Sequence, residues 1–224
     1  MVIDNVLNVL LEQNEFESVY LKRTVLIDFY LPKNIEDPSE LSLLLINDGQ
    51  DLVKMDFLKM IDDLQASNQI KPLFCVGLHA SKERRMEYGT ARILDYEGRG
   101  AKAAAYNQFI IEELLPYIKE TYKVVSFKQK AFAGFSLGGL TAIDVVWHYP
   151  HLFSIAGVFS GSLWWRSKSL DDGYNEDTDR IMHHQIRNGK YYPGLKFFFT
   201  TGSQDEVMDR NNNGIIDSID DTLG

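Results

Sequence analysis

The chain has 224 residues, of which 45% are hydrophobic and 25% charged, and its formal net charge is −9. These values are typical of one globular domain with a full-sized core, and the acidic balance argues against a nucleic-acid partner, which needs a basic face. The N-terminus lacks the basic region of a signal peptide, and no run reaches the ~20 apolar residues of a membrane span, so we expect a cytoplasmic protein without membrane contact.

The predicted elements alternate between strand and helix. Residues 17–31 are rich in β-branched and aromatic residues, which predicts one long strand or two short ones. Apolar runs predict five strands, at residues 41–46, 72–78, 131–135, 155–161 and 195–202, and the first two are of the type that is buried on both faces. Helical spacing predicts helices at residues 51–65, 100–121 (kinked or restarted near Pro116), 137–149 and around 176–187. This alternation is that of repeated βαβ units, and it predicts a single α/β domain over residues 1–224 with a mostly parallel sheet.

Residues 134–138 read G-x-S-x-G, with Ser136 at the centre. The motif follows a predicted buried strand and opens a predicted helix, which is the strand-turn-helix setting of a nucleophile elbow. In that setting the serine lies exposed at the carboxyl end of the strand, and the N–H of Leu137 is one oxyanion donor. The alternative is a strand-to-helix turn that merely needs glycine.

Two further loops follow predicted strands and supply candidate partners for the serine. The loop around Gly49 lets a substrate approach the backbone closely, and we predict the N–H of Gln50 in this loop as the second oxyanion donor. Asp205 follows the last predicted strand and is the candidate acid that orients a histidine. Glu206 and Asp209 compete for that role, and an ordinary loop aspartate is the alternative.

Six segments taken together resemble a known family. They are NDGQDL, RRMEYG, AYNQFIIEELLPYIKETY, AGFSLGGL, HYPHLFSIAGVFSGSLWW and TTGSQDE, and the resemblance extends from about residue 17 to 206. The chain resembles the esterase family of the α/β-hydrolase fold that includes enterochelin (siderophore) esterases and feruloyl-esterase-like domains. The resemblance implies a mostly parallel sheet flanked by helices. It also implies a serine hydrolase that cleaves a small-molecule carboxylic ester through acyl-Ser136, with Asp205 as triad acid and no organic cofactor.

Other residues at predicted strand ends are candidates for substrate binding. The resemblance implies that Arg84 and Glu87 line the site, with surface charge as the alternative. His79 follows a strand end, where α/β sheets bind ligands. Trp164 and Trp165 are candidates for an aromatic wall, or else they pack beneath the irregular segment at residues 166–190. We interpret residues 162–190 as a small lid.

A general base is missing from its expected place. In α/β-hydrolases the order is serine, acid, histidine, but all the histidines precede Asp205; they are His79, His148, His151, His183 and His184. We interpret the chain as ending early, without a closing strand or helix, so that the sheet lacks its last strand and the histidine loop. The alternatives are a non-catalytic, ligand- or calcium-binding relative, a base supplied by His79, His183 or His184, and, with a base present, an acyltransferase with the same nucleophile.

Residues 209–220, DRNNNGIIDSID, follow the calcium-loop pattern D-x-[DN]-x-[DN]-G, with aspartate in place of the final glutamate. The predicted Ca²⁺ ligands are Asp209, Asn211, Asn213, the Ile215 carbonyl, Asp217 and Asp220. The alternative is a polar loop rich in Asn, Asp and Gly.

Overall fold

The computed structural model describes residues 7–33 and 35–223, and its centre is a seven-stranded sheet. The strands are β1 Val9–Ser18, β2 Arg23–Pro32, β3 Ser42–Asn47, β4 Leu73–Leu78, β5 Lys130–Phe135, β6 Ile155–Phe159 and β7 Lys196–Thr200. Their spatial order is β1-β2-β4-β3-β5-β6-β7. β2 pairs antiparallel with both β1 and β4, whereas β3 to β7 pair in parallel. The carboxyl ends of five strands therefore lie at one edge of the sheet.

Helices connect the strands and flank the sheet. They are α1 Phe57–Ala66, α2 Arg84–Glu87, α3 Ala103–Gln108, α4 Leu115–Thr121, α5 Leu137–His148, α6 Glu176–Asp179, α7 Ile181–Arg187 and α8 Asp217–Leu223. A π-helical turn, Phe109–Leu114, joins α3 to α4, and Pro38–Glu40 and Gly49–Met55 are 3₁₀ segments. This architecture confirms the predicted α/β class with a mostly parallel sheet flanked by helices.

The buried strands explain their apolar sequences. Leu45 and Ile46 are neighbours on β3 and point to opposite faces, yet both are buried, because helices cover the two faces. Leu45 joins a large cluster with residues of α3, α4 and α5, whereas Ile46 packs with Ile61 of α1. No helix within residues 7–33 and 35–223 combines the length and apolar character needed to cross a bilayer.

Several predicted boundaries are wrong. The first predicted strand is a hairpin whose first strand begins at Val9. The predicted helix at residues 51–65 is interrupted by Asp56, which has a left-handed φ of 51° between the 3₁₀ segment and α1. The expectation of no closing strand or helix is also wrong, since the helix α8 covers Asp217–Leu223. The helical path through residues 103–121 does change geometry next to Pro116, as its missing N–H predicts.

The segment at residues 162–190 packs against the main core. Leu163 and Trp165 near its start, and Ile181 and Met182 on α7, are all buried. Its role as a lid stays a prediction.

Candidate active site

Ser136 lies between β5 and α5 in a strained backbone conformation, with φ 53° and ψ −123°. The turn is so tight that a Cβ on Gly134 would lie 2.5 Å from the carbonyl oxygen of Gly138. A Cβ on Gly138 would lie 2.9 Å from the Cβ of Asn47. Both glycines of the motif are therefore required by close backbone approach, and a non-glycine residue with positive φ between them is a sign of a functional site.

Hydrogen bonds hold the strained serine in place. Its N–H donates to Phe159 O at 3.0 Å, and its carbonyl accepts from the N–H groups of Gly139 and Leu140 at 3.0 and 3.2 Å. The side chain is exposed, and its Oγ lies 3.1 Å from Ser162 Oγ. The strand-to-helix turn at residues 134–138, called the elbow below, thus presents the Ser136 hydroxyl at the carboxyl edge of the sheet.

The two predicted oxyanion donors are both at the start of a helical segment. Leu137 is the first residue of α5, and Gln50 is the second residue of the 3₁₀ segment. Backbone N–H groups in these positions have no acceptor within their own helix. Gly49 is needed beside Gln50, because a Cβ there would lie 2.5 Å from the carbonyl carbon of Gly77.

A cleft of about 420 Å³ brings the elbow and the Gln50 loop together. Its lining residues are Asp48, Gln50, Asp51, Leu52, Lys54, Met55, Arg84, Phe135 and Ser136. Of the predicted site residues, the cleft therefore contains Ser136, Gln50 and Arg84. The aliphatic and aromatic side chains among these residues give it an apolar wall suited to part of an organic substrate.

Arg84 contributes to the cleft through a fixed ion pair. Its guanidinium donates two hydrogen bonds of 2.7 Å to the Asp48 carboxylate and lies 5.0 Å from the centre of the Tyr88 ring. The hydrogen bond to Asp48 is the main cause of the raised pKa of Arg84, and burial opposes it. Arg84 therefore stays positively charged, and its ion pair with Asp48 fixes both side chains in the wall of the cleft.

A buried polar network beneath the elbow was not predicted from the sequence. The Asn47 amide donates to Gly138 O at 2.8 Å, and its oxygen accepts from the Tyr106 hydroxyl at 2.6 Å. The N–H of Asp48 donates to the Tyr88 hydroxyl at 3.2 Å. Burial raises the pKa of both tyrosines above the ordinary range, so they stay protonated. The network fixes the Gln50 loop against the elbow, and its residues lie in three of the segments that carry the family resemblance, NDGQDL, RRMEYG and AYNQFIIEELLPYIKETY.

The structure contradicts the prediction that Glu87 and Trp165 line the site. Glu87 is fully buried and forms two hydrogen bonds of 2.7 Å with Arg23. Trp165 is fully buried too, against Gly89 and Gly100. Neither side chain reaches the cleft, because each fills a space in the core that the sequence pattern does not reveal.

The other two candidates lie outside the cleft lining. His79 Nε2 lies 2.7 Å from the buried Asp28 carboxylate of β2, and this contact links β2 to the residue that follows β4. Trp164 is partly exposed and lies 5.1 Å from the Arg99 guanidinium. In the structure, each of the two side chains therefore contacts a neighbouring side chain outside the cleft.

Asp205 lies in the loop after β7. Its carboxylate accepts from the N–H of Gly202 at 2.7 Å and from the Thr201 hydroxyl at 3.4 Å. A hydrogen bond from Ser160 is the main cause of its lowered pKa, and the Gly202 bond adds to it. The exposed carboxylate is thus held in its ionised form. Glu206 next to it has a raised pKa, mainly because of burial.

The side chains of three histidines, His79, His148 and His183, have hydrogen-bond partners other than the serine. His148 Nδ1 lies 2.8 Å from Asp144 O, and His183 Nε2 lies 2.8 Å from Asp221 O. Burial lowers the pKa of His183, which favours its neutral form. In the described part of the chain, the side-chain partner of Ser136 Oγ is Ser162 and not a histidine.

The 209–220 loop folds around its own side chains. The Asp209 carboxylate accepts from the N–H groups of Asn213 and Gly214 at 3.1 and 2.9 Å. The amides of Asn211 and Asn213 both donate to one oxygen of Asp220, at 3.2 and 2.8 Å. Side chains from positions 3, 5 and 12 of the calcium pattern therefore meet.

The Asp217 carboxylate, by contrast, is bonded to Arg210: it accepts from the N–H of Arg210 at 2.9 Å and lies 3.3 Å from the guanidinium of that arginine. Within the described ranges no group of three or more His, Cys, Asp or Glu side chains is placed to hold a metal ion. Any cation here would depend on amide and main-chain oxygens as well.

Comparison with known proteins decides the family. The model of the family described as "Putative esterase" matches residues 18–219, which is most of the chain. The chain belongs to this esterase family. Two curated proteins of Bacillus subtilis (strain 168) are similar to it: "Uncharacterized protein YjcH" is 24% identical over 146 residues, and "Uncharacterized protein YbbA" is 25% identical over 148. These alignments cover 63% and 62% of this chain and 58% and 57% of the relatives.

Solved structures show the same fold at low sequence identity. Enterochelin esterase from Shigella flexneri superposes with a TM-score of 0.65 at 21% identity, over 84% of this chain and 44% of that one. Siderophore hydrolase EstB from Aspergillus nidulans gives 0.63 at 19% identity, over 84% of this chain and 68% of that one. The esterase family chain thus has the α/β-hydrolase fold and spans about half the length of the enterochelin esterase.

Proposed function

We propose that this chain is a serine hydrolase that cleaves a small-molecule carboxylic ester through an acyl-Ser136 intermediate. The observation that carries the proposal is the elbow, where an exposed serine with φ 53° stands between β5 and α5 on the wall of the cleft. That is the setting in which α/β-hydrolases hold their nucleophile. Membership of the esterase family supports an ester as the bond that is cleaved.

In the proposed reaction Ser136 Oγ attacks the ester carbonyl while its proton passes to a general base. The carbonyl oxygen becomes an oxyanion and accepts hydrogen bonds from the N–H groups of Leu137 and Gln50, each worth ~3 kcal/mol of the barrier. Expulsion of the alcohol leaves acyl-Ser136, and attack by water then releases the acid and restores the serine. No step of this sequence uses an organic cofactor.

Asp205 has the role of triad acid in this proposal. An orienting carboxylate must stay ionised, and the hydrogen bonds from Ser160 and Gly202 that lower the pKa of Asp205 support that role. The base in α/β-hydrolases follows the acid in sequence, whereas the histidines of this chain precede Asp205. Reactivity of Ser136 is therefore the property to measure first.

The test is covalent labelling of the chain with a fluorophosphonate probe, which reacts with serines activated by a base. The proposal requires that the wild type labels and Ser136→Ala does not, with hydrolysis of p-nitrophenyl acetate lost in the same variant; the base would then be one of the candidates His79, His183 and His184. Asp205→Asn should slow labelling at least tenfold, since the base loses its orienting partner. If the wild type does not label, or Ser136→Ala labels equally, the acyl-Ser136 proposal is wrong for this chain.

We also propose that the 209–220 loop binds Ca²⁺. The bonds from Asp209 to the N–H groups of Asn213 and Gly214, and the left-handed Gly214 (φ 87°), give the sharp turn such a loop needs. Rotation of the Asn211 and Asn213 amides, which now donate to Asp220, would turn their oxygens toward a cation. Asp217 is bonded to Arg210, which suits the position of the pattern that often binds through water.

A further inference from the structure

Ser162 follows β6 and is bonded to the candidate nucleophile twice. Its N–H donates to Ser136 O at 3.1 Å, and its Oγ lies 3.1 Å from Ser136 Oγ. The side chain is 3% exposed, so its hydroxyl is shielded from water, whereas Ser136 is exposed. One residue thus contacts both the backbone and the reactive atom of the elbow.

The fold brings Ser162 to this place through a tight turn after β6. Ser160 has a left-handed φ of 46°, and a Cβ on Gly161 would overlap the Val158 side chain. The turn also packs against α5, since a Cβ on Gly139 would lie 3.4 Å from the Cα of Gly161. Three hydrogen bonds therefore join Ser136 to β6 and the turn after it: Ser136 N–H to Phe159 O, Ser162 N–H to Ser136 O, and the contact between the two hydroxyls.

A lone serine hydroxyl has three staggered rotamers, and a fixed hydrogen-bond partner favours one of them. We propose that Ser162 is a positioning residue for Ser136: its hydroxyl donates to Ser136 Oγ and holds it in the rotamer that attacks the substrate. Because Ser162 supplies the donor, the proton of Ser136 is left for the general base. The inference rests on the proposed acyl-Ser136 mechanism and adds a residue to it.

The same hydrogen bond gains strength as the reaction begins. Negative charge develops on Ser136 Oγ as its proton leaves, and hydrogen bonds to a charged acceptor are stronger than those between neutral groups. A buried, preorganised donor needs no reorganisation at that moment. We therefore expect loss of the Ser162 hydroxyl to affect the chemical step more than the binding of substrate.

The first experiment measures inactivation by the fluorophosphonate probe in Ser162→Ala, Ser162→Thr and a matched control, Ser154→Ala. The hydroxyl of Ser154 is also buried, but within the described residues it has no hydrogen-bond partner. In Ser162→Ala we expect the limiting rate of inactivation to fall about tenfold, equivalent to about 1.4 kcal/mol, with the half-saturating probe concentration within twofold of wild type. Ser162→Thr should recover most of the rate, and Ser154→Ala should match the wild type.

The second experiment compares crystal structures of the wild type and Ser162→Ala and does not depend on reactivity. We expect one Ser136 rotamer in the wild type and two or more in the variant. An unchanged rate of inactivation together with one rotamer in both proteins overturns the role of Ser162. If the wild type does not react at all, the acyl-Ser136 proposal fails, and the rotamers alone decide whether Ser162 positions Ser136.

Discussion

Gly134 lies where the backbone of the elbow folds back onto α5. A methyl group there would lie 2.4 to 2.9 Å from the carbonyl carbon, the oxygen and the Cα of Gly138, and these backbone atoms cannot move aside as a flexible side chain can. We expect Gly134→Ala to lower the free energy of unfolding by about 3 kcal/mol, at the upper end of the cost of overpacking, and to abolish probe labelling of Ser136. Urea denaturation followed by circular dichroism measures the first effect.

Gly194→Ala is the matched control, because a Cβ at Gly194 has no neighbour within 4 Å. Its unfolding free energy should stay within about 0.5 kcal/mol of the wild type. Equal stability of the two variants would show that the elbow is not as tight as described.

Some residues of the site can be recognised from a short stretch of sequence, whereas others depend on contacts with distant parts of the chain. The glycines around Ser136 and the predicted oxyanion donors Leu137 and Gln50 belong to short motifs, so sequence spacing alone indicates them. The burial of Glu87 could not be predicted in this way, because its partner Arg23 is 64 residues away in the sequence. A buried ion pair between such distant residues produces no repeating pattern in the sequence. Ser162 was missed for the same reason, since only the packing of β6 beside β5 brings it to Ser136.

At the scale of elements, the buried parallel strands were predicted best. β3 to β6 are short apolar runs between turn residues, and burial on both faces demands such a composition. β1 was largely missed because it is an edge strand rich in Glu, Gln and Asn, residues with little strand preference. α8 was missed as well, since most of its residues are acidic or polar and only Asp217 and Asp221 are buried.

The predicted calcium segment, residues 209–220, runs into the first turn of α8. If residues 209–220 bind Ca²⁺, saturation at 100 times the dissociation constant adds about 2.7 kcal/mol of stability, which raises the melting temperature by about 5 °C for a chain of this size. Asp220→Ala removes the final ligand and should abolish the difference between millimolar CaCl₂ and excess EGTA in a thermal melt.

Asp172→Ala removes an exposed acidic residue outside the loop and should keep the full calcium response. A wild type that melts at the same temperature in calcium and in EGTA contradicts the calcium proposal. So does an Asp220→Ala variant that responds as strongly as the wild type.

At the scale of the whole molecule, the two edges of the sheet differ. β1 carries Glu12, Glu15 and Glu17, and charged residues on an edge discourage pairing with another chain. At the opposite edge β7 exposes Phe197, Phe198 and Phe199 by 38, 57 and 37%. An apolar edge strand of this kind is a template for association through unpaired N–H and C=O groups.

We therefore expect the chain to associate through β7 in a concentration-dependent way. Phe198→Lys places a charge at the most exposed aromatic position of the edge and should weaken association at least tenfold, as measured by sedimentation velocity over a range of concentrations. Val125→Lys is the matched control, because Val125 is apolar and 91% exposed but lies outside the strand. If the wild type stays monomeric throughout, or if both variants associate as it does, the β7 edge is not the contact, and its aromatic residues are covered in some other way.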